Sequence, residues 1–227
     1  MVKSKVSIII PCFNEETTIL DILKRCKPYA DEIIVSVAKK STDKTYQIAK
    51  DFGATVVTDN GLGKADGMKV GASISKGGIL IFIDADGSHI PEDIPSILRC
   101  FEEESADVVI TSRMRGGSDE LHGSISKFVR MILSDIITLI INYRFGLRIT
   151  DSQNGFRGIK KSVFDSLKLK AKHTEVETEM LMKAAKMKYK ICEIPSKELA
   201  RKGGISKLNI LKHGWRYLWV VLSNIFW

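Results

Sequence analysis

The sequence contains little cysteine, and what it has shows no pairing pattern. Its 227 residues include four cysteines, Cys12, Cys26, Cys100 and Cys192, which are far apart and form no Cys-x-x-Cys pair. Zinc sites and disulfide frameworks are usually recognised by short, regular cysteine spacings, so this pattern argues against both. We therefore expect reduced and mostly buried thiols, as in a cytosolic protein.

Long hydrophobic runs are also missing. The apolar run near the start covers residues 6–10 and ends at Pro11, whereas a secretory signal needs roughly 7–15 apolar residues. The last residues, 217–227, carry no charge, but a helix that spans a bilayer needs about twenty apolar residues. We therefore expect neither a signal peptide nor a membrane-spanning helix.

Acidic residues are scarce in one part of the chain. The formal net charge is +8, from 35 Lys and Arg against 27 Asp and Glu. Residues 183–216 contain ten Lys or Arg and only two acids, so this segment holds the whole excess. A basic segment suits nucleic acid, an anionic membrane surface or a phosphorylated substrate, and composition does not choose among them.

The rest of the composition is that of an ordinary globular domain, with 44% hydrophobic and 27% charged residues. Short β-branched runs predict strands at 6–10, 32–37, 54–58, 79–83, 107–111 and 188–194. Helical patterns predict helices at 15–27, 43–51, 65–75, 92–103, 124–142 and 175–187. Strands that alternate with helices indicate an α/β fold whose parallel sheet is covered on both faces.

Two segments of the second half are amphipathic. Residues 124–142 place their apolar side chains on one helical stripe, and residues 208–227 contain all three tryptophans. Such a stripe usually packs on a core. Lysines beside an aromatic amphipathic end also suit binding to the surface of an anionic membrane.

The predicted strand at 79–83 ends in two acids, Asp84 and Asp86, which flank one residue and precede Gly87. In parallel sheets, ligands bind beyond the carboxyl ends of the strands, which is where these acids lie. Two such carboxylates converge on one divalent cation if the backbone turns there, and glycine permits the turn. The alternative is a capped turn that opens a helix near Pro91.

Seven short motifs follow one another along residues 4–210. They read IIIPCFNEE, KSTDKT, GLGKADGMKVGA, FIDADGSHIPED, SRMRGG, DSQNGFRGI and RKGGISKL. In this order they resemble the inverting family-two glycosyltransferases of GT-A fold. The similar branch comprises dolichyl-phosphate mannose synthases and other polyprenyl-phosphate hexosyltransferases.

The resemblance implies a domain organisation. We expect a Rossmann-like, three-layer GT-A sandwich with a mostly parallel central sheet and C-terminal amphipathic helices. The domain would span residues 1–210, with a nucleotide-sugar-binding half at 1–112 and an acceptor half at 113–210. Residues 208–227 would form an interfacial amphipathic segment.

The resemblance also implies a donor site and a cofactor. Mg²⁺ or Mn²⁺ would be held by Asp84, Asp86 and Ser88 and would stabilise the charge that develops on the leaving diphosphate. The donor-binding residues that it implies are Pro11, Asn14, Glu15, Asp43, Gly63, Lys64, Asp66 and Ala85.

An acceptor lipid phosphate is already anionic near neutral pH, because its second pKa is about 6. Transfer to it therefore needs cationic contacts and no strong base. The resemblance gives Arg113 and Arg201 this catalytic role, and arginine suits bidentate phosphate binding. The acceptor-binding residues that it implies are Arg113, Lys127, Arg130, Asp151, Asn154, Glu179, Arg201 and Lys207.

Two places depart from the family pattern. Ala38, Lys39 and Lys40 stand where paired acids usually contact the nucleobase, so GDP-mannose, UDP-glucose and UDP-N-acetylglucosamine all stay open as donors. Ser88 stands where the mannose synthases have a glutamine near the metal, so we expect weaker metal binding.

We therefore expect an inverting, metal-dependent transferase that places a hexose or N-acetylhexosamine on dolichyl or polyprenyl phosphate, supplying lipid-linked sugar for glycosylation. It would be peripheral, on the cytoplasmic face of a membrane. The alternatives are transfer to a saccharide or glycolipid hydroxyl, which needs a base, and a catalytically silent subunit that binds a nucleotide sugar or lipid. No nucleic-acid partner is expected, since no motif for one is present.

Overall fold

The computed structural model describes residues 4–120, 125–202 and 210–226. Seven strands within these ranges form one sheet in the order β3-β2-β1-β4-β6-β5-β7. The strands are β1 (Val6–Cys12), β2 (Glu32–Val37), β3 (Thr55–Thr58), β4 (Ile79–Phe82), β5 (Val108–Ser112), β6 (Arg157–Lys160) and β7 (Ile191–Pro195). All neighbouring pairs are parallel except those that include β6, which runs antiparallel to β4 and β5.

Helices connect the strands in the described part of the chain. They are α1 (Ile19–Cys26), α2 (Thr45–Asp51), α3 (Lys64–Ile74), α4 (Ile94–Glu103), α5 (Arg113–Gly116), α6 (Ile125–Phe145), α7 (Lys161–Leu167), α8 (Val176–Lys186) and α9 (Ile210–Phe226). Because parallel strands need crossover connections, this alternation is what a parallel sheet requires.

Each face of the sheet carries its own apolar core. Along β1, Ile8 and Ile10 join one core together with residues of α1 and α4, while Ile9 joins the other with residues of α3, α8 and α9. Successive side chains of a strand point to opposite faces, and a strand covered on both sides is apolar throughout. The result is the three-layer arrangement that the sequence predicts.

The strand directions bring several loops to one edge. Strands β1, β2 and β4 are mutually parallel, and β5 points the same way because both β4 and β5 are antiparallel to β6. Their carboxyl ends therefore share an edge. β6 starts at this edge, where Arg157 pairs with Phe82, so the loop before β6 reaches it too.

The α/β fold and the six predicted strands are confirmed, with ends that differ by a few residues. β6 and α7 were missed, because β6 is only four residues long and begins with an arginine. Helix α1 starts at Ile19 and not at residue 15, because residues 16–18 form a turn before it. The division into halves at residue 112 stays a prediction.

Candidate functional site

A cavity of about 900 Å³ opens at the shared edge of the strands. Its polar lining includes Asp84, Asp86, Arg113, Glu177 and Arg201. Its apolar lining comes mainly from α6 and α9 and includes Leu133, Ile136, Ile137, Ile140, Leu218 and Val221. One continuous cavity therefore joins the strand ends to two helices.

Asp84 follows β4, and its carboxylate contacts two nitrogen-bearing side chains. Oδ1 lies 2.6 Å from Nζ of Lys64, and Oδ2 lies 3.4 Å from Nε2 of His89. Burial by itself would raise the pKa of Asp84, but Lys64 and His89 hold that pKa well below its ordinary value. The carboxylate is therefore ionised where it faces the cavity.

Asp86 is buried, and its two oxygens have different partners. Oδ1 accepts hydrogen bonds from the hydroxyl of Ser88 at 2.6 Å and from the backbone N–H of Ser88 at 3.0 Å. Oδ2 forms an ion pair with Nη1 of Arg201 at 3.1 Å. Gly87 has a φ of 78°, a conformation that glycine adopts at no steric cost. This turn brings Asp84, Asp86 and Ser88 to the wall of one cavity.

The predicted metal ligands Asp84, Asp86 and Ser88 offer only oxygen atoms, and all three line the cavity. Mg²⁺ and Mn²⁺ prefer oxygen, and Mg²⁺ commonly uses one or two carboxylates and takes its other ligands from phosphates and water. These residues therefore fit such an ion. Lys64 and Arg201 now pair with the two carboxylates and would compete with it for them.

Lys64 connects two acids at the first residue of α3. Its ammonium lies 2.6 Å from Asp84 and 2.8 Å from Oε1 of Glu177. Glu177, in the first turn of α8, is buried and lines the cavity. Among the described residues, neither of its carboxylate oxygens has a hydrogen-bond partner apart from this ion pair. Sequence reasoning missed Glu177.

Glu179, the predicted acceptor-binding glutamate, lies away from the cavity. Its carboxylate accepts hydrogen bonds from the backbone N–H groups of Lys170 and Ala171 and forms an ion pair with Lys183 at 2.7 Å. Residues two apart on a helix point in nearly opposite directions, so Glu177 faces the cavity and Glu179 does not. Nothing in the local sequence reveals which of the two faces the cavity.

The predicted donor-binding residues fall into two groups. Six of them line the cavity: Pro11, Asn14, Glu15, Gly63, Lys64 and Ala85. The carboxylates of Asp43 and Asp66 instead brace the surrounding loops. Asp43 accepts hydrogen bonds from Thr45 and from the backbone of Glu16, and Asp66 accepts them from Asn60.

Arg113 is held in the cavity wall by acids. Its Nε and Nη2 donate to the two oxygens of Asp151 at 2.6 and 3.0 Å, and Nη1 lies 3.6 Å from Glu198. Burial would lower the pKa of Arg113, but Asp151 and Glu198 raise it above its ordinary value. Asp151 thus fixes the orientation of the Arg113 guanidinium, which lines the cavity as a positive charge.

The remaining predicted acceptor-binding residues are less uniform. Arg130 and Asn154 line the cavity. Burial lowers the pKa of Arg130, and the nearby charge of Arg113 lowers it further, so these two arginines form one cationic region. Lys127 lies outside this lining and pairs with Glu120 at 3.6 Å. Lys207 lies outside the described residues.

The outer faces of α6 and α9 expose large apolar side chains. On α6 they include Ile125, Phe128, Leu139 and Tyr143; on α9 they include Trp215, Trp219 and Leu222. The opposite face of α9 packs on the domain through Tyr217, Val220 and Val221. Among the described helices, none combines the length and the hydropathy that crossing a bilayer requires.

Comparison with known proteins gives consistent matches. A family model described as glycosyl transferase family 2 matches residues 7–168. The UDP-N-acetylglucosamine–dolichyl-phosphate N-acetylglucosaminyltransferase of Methanococcus voltae is 28% identical over 229 residues, which cover 88% of this chain and 87% of that protein. The undecaprenyl-phosphate mannosyltransferase of Micrococcus luteus is 28% identical over 218 residues, and the match covers 90% of this chain and 88% of that protein.

A solved structure shares the fold. The glucosyl-3-phosphoglycerate synthase of Mycobacterium tuberculosis, crystallised with Mn²⁺, uridine diphosphate and phosphoglyceric acid, superposes with a TM-score of 0.79. It is 20% identical, and the match covers 98% of this chain and 79% of that one. This likeness confirms the predicted GT-A architecture.

Proposed function

Since this chain belongs to glycosyl transferase family 2, we propose that it transfers a hexose or N-acetylhexosamine from a nucleotide diphosphate sugar to a polyprenyl phosphate such as dolichyl phosphate. One observation carries the proposal: one cavity is lined both by charged side chains at the strand ends, which suit two phosphate groups, and by apolar side chains of α6 and α9, which suit a lipid chain. The Methanococcus voltae and Micrococcus luteus relatives support it, because their names specify such acceptors.

The donor would bind at the strand ends. Asp84 and Asp86 would hold Mg²⁺ or Mn²⁺, which when bound stabilises the negative charge of the leaving diphosphate. Lys64 supplies a further positive charge beside Asp84, and Glu177 fixes its position from the other side. The carboxylate of Glu177 also faces the cavity, where it can accept hydrogen bonds from sugar hydroxyls.

The acceptor phosphate would bind at the arginines. A phosphate monoester is largely ionised near neutral pH, since its second pKa is about 6, so its oxygen can attack the sugar without giving up a proton first. Arg113, oriented by Asp151, and Arg130 offer positive charges in the cavity that the apolar side chains of α6 and α9 also line. These contacts would align the phosphate for attack.

The lipid chain would leave the site between α6 and α9. Both helices contribute apolar side chains to the cavity and also expose apolar side chains outside it. An enzyme that draws its acceptor from a membrane gains from such a face, because aromatic and aliphatic side chains enter the interface while lysine and arginine contact anionic headgroups. We therefore propose peripheral membrane binding; the assignment to the cytoplasmic face stays a prediction.

The test uses the full chain with dolichyl phosphate, Mn²⁺ and a panel of radiolabelled donors: GDP-mannose, UDP-glucose and UDP-N-acetylglucosamine. We expect one donor to give a label that is extractable into organic solvent and released by mild acid. The matched control is Asp86→Asn, which should lose this product. If every donor labels only saccharide or glycolipid hydroxyls, or none labels the lipid phosphate, the proposed acceptor is wrong.

A further inference from the structure

Two of the cysteines that are distant in sequence lie side by side in the fold. Cys100 is in the last part of α4, and Cys192 is in β7. Their Sγ atoms are 2.8 Å apart, which is within about 0.8 Å of the roughly 2.05 Å of a disulfide bond. Both thiols are free, as the sequence predicts, but the wide spacing in sequence gives no sign that these two cysteines are neighbours in the fold.

The two thiols differ in their exposure to solvent, and both lie near the carboxylate of Glu104. Cys100 is buried, whereas Cys192 is partly accessible. An oxygen of Glu104 lies 3.7 Å from each sulfur. Within the described residues, Cys100, Glu104 and Cys192 form a group of three potential metal ligands, whose sulfur and oxygen atoms lie within 4.8 Å of one another.

We propose that Cys100 and Cys192 form a reversible disulfide bond that fastens β7 to α4. The reaction partner would be a small oxidised disulfide such as oxidised glutathione. The thiolate of Cys192 attacks it and releases one glutathione thiolate, and the thiolate of Cys100 then attacks the sulfur of Cys192 and releases the second. The two cysteines lose two protons and two electrons, and the oxidant becomes two thiols.

The geometry favours a disulfide over a metal site. Two thiolates on a tetrahedral zinc ion, each about 2.3 Å from it, stand roughly 3.8 Å apart, so a metal would have to push these sulfurs further from each other. A disulfide requires a smaller movement in the opposite direction. Exposure gives the order of events, because Cys192 is the one that a solvent-borne oxidant reaches.

The proposed bond would stabilise an element that supports the site. Among the described strands, β7 is at the edge of the sheet and pairs with β5 alone. Its Glu193, next to Cys192, accepts hydrogen bonds from the backbone N–H groups of Thr150 and Asp151 at 2.7 and 3.0 Å. Asp151 in turn holds Arg113. Edge strands are among the first elements to open locally, so fastening β7 would restrain the loop that carries Asp151.

The experiment exposes the reduced full-length protein to glutathione buffers of increasing oxidised fraction, blocks free thiols and counts them after denaturation. We expect the number of free thiols to fall from four to two, with a peptide that joins Cys100 to Cys192 in a non-reducing digest. Cys26→Ser should still lose two thiols, whereas Cys192→Ser should lose none to an internal bond. Oxidation should raise Tm by about 5 °C or more in the parent protein.

Glu104 provides an independent check. Burial raises the pKa of both thiols, and the Glu104 carboxylate raises it further, so Glu104→Gln should speed bond formation about threefold or more. Retention of four thiols in strongly oxidising buffer would overturn the proposal. So would glutathione that stays attached to Cys192, or zinc that protects both thiols at one ion per chain.

Discussion

Nη1 of Arg201 lies 3.1 Å from Oδ2 of Asp86, so a side chain predicted to bind the acceptor phosphate is paired with a predicted metal ligand. Arg201 is also tied to the domain by its backbone N–H, which donates to Glu120. A divalent cation and the Arg201 guanidinium cannot both take the same carboxylate oxygen without repulsion. The structure therefore couples metal binding to the position of Arg201.

Replacing Arg201 with alanine should affect metal binding and turnover in opposite directions. Without the competing charge, Asp86 should bind Mn²⁺ about 3–10-fold more tightly in the absence of substrates, because an ion pair at this exposure is worth roughly 1 kcal/mol. Sugar transfer should fall about 100-fold or more, since a phosphate-binding cation is lost. Mn²⁺ titration by electron paramagnetic resonance and the transfer assay measure the two effects.

Arg99→Ala removes an equally charged but exposed side chain from α4 and serves as the matched control. It should change neither the Mn²⁺ affinity nor the rate of sugar transfer. If Arg201→Ala left Mn²⁺ affinity unchanged, or raised transfer, the pairing with Asp86 would have no functional consequence.

The pair formed by Arg113 and Asp151 should make stability depend on pH. Burial by itself would raise the pKa of Asp151, but Arg113 and backbone N–H groups lower it below its value in the unfolded chain. A carboxylate with a lowered folded pKa stabilises the fold above its unfolded pKa, near 3.9, and this contribution is lost as pH falls through the folded pKa.

Asp151→Asn should therefore destabilise the protein by about 3 kcal/mol at pH 7, because it leaves the Arg113 charge without its main buried partner. The difference from the parent should shrink as pH falls below about 4. Urea unfolding of both proteins at several pH values measures it. A difference that stays constant down to acid unfolding would show that the charge of Asp151 contributes nothing.

Some of the site was predictable because it depends on local sequence. The apolar run of β4 ends abruptly at Asp84, and Gly87 marks the turn that follows. Because chain direction in a parallel sheet places such acids at the ligand-binding edge, their position could be inferred without coordinates. The cavity indeed contains both acids.

Other parts were not predictable because they depend on helix orientation or on contacts between distant segments. The choice between Glu177 and Glu179 depends on which face of α8 packs on the sheet. The contact between Cys100 and Cys192, which are 92 positions apart in sequence, depends on the pairing of β7 with β5. Neither the hydrophobic period nor local motifs contain this information.

Glu177 and Glu179 provide a matched pair of variants. Glu177→Gln removes one of the two acids that pair with Lys64 in the described part of the chain and alters the cavity wall. We therefore expect kcat/KM to fall about 10–100-fold with little change in Tm. Glu179→Gln weakens the acceptor for two backbone N–H groups and the pair with Lys183. It should cost about 1–3 kcal/mol of stability and leave kcat/KM nearly unchanged.

Thermal unfolding and steady-state kinetics of both variants distinguish the two roles. The assignment of Glu177 to the site would be wrong if Glu179→Gln were stable but inactive while Glu177→Gln were active but destabilised.

The exposed aromatic face of α9 should mediate membrane binding. Trp215 and Trp219 are 62% and 68% exposed, and tryptophan is favoured at the membrane interface. The double variant Trp215→Ser, Trp219→Ser should bind vesicles of anionic phospholipid about tenfold more weakly in a flotation assay. Tyr46→Ser, on an exposed side of α2, is the control and should bind like the parent. Equal binding of all three proteins would exclude α9 as the contact.

Gly155 should tolerate no side chain, because of how closely the loop before β6 approaches the acids. A Cβ there would lie 2.8 Å from both Oδ2 of Asp84 and Nζ of Lys64, closer than a carbon atom can pack without moving them. Gly155→Ala should therefore displace the Asp84–Lys64 pair and lower transfer about 100-fold or more.

Gly78→Ala is the matched control for this substitution, since its Cβ would meet Ser4 at an ordinary 3.5 Å. It should retain nearly full activity. Circular dichroism of both variants separates local displacement from unfolding, since Gly155→Ala should keep the spectrum of the folded parent. A fully active Gly155→Ala protein would mean that Asp84 and Lys64 do not have to keep the positions seen here, and the roles proposed for both would then fail.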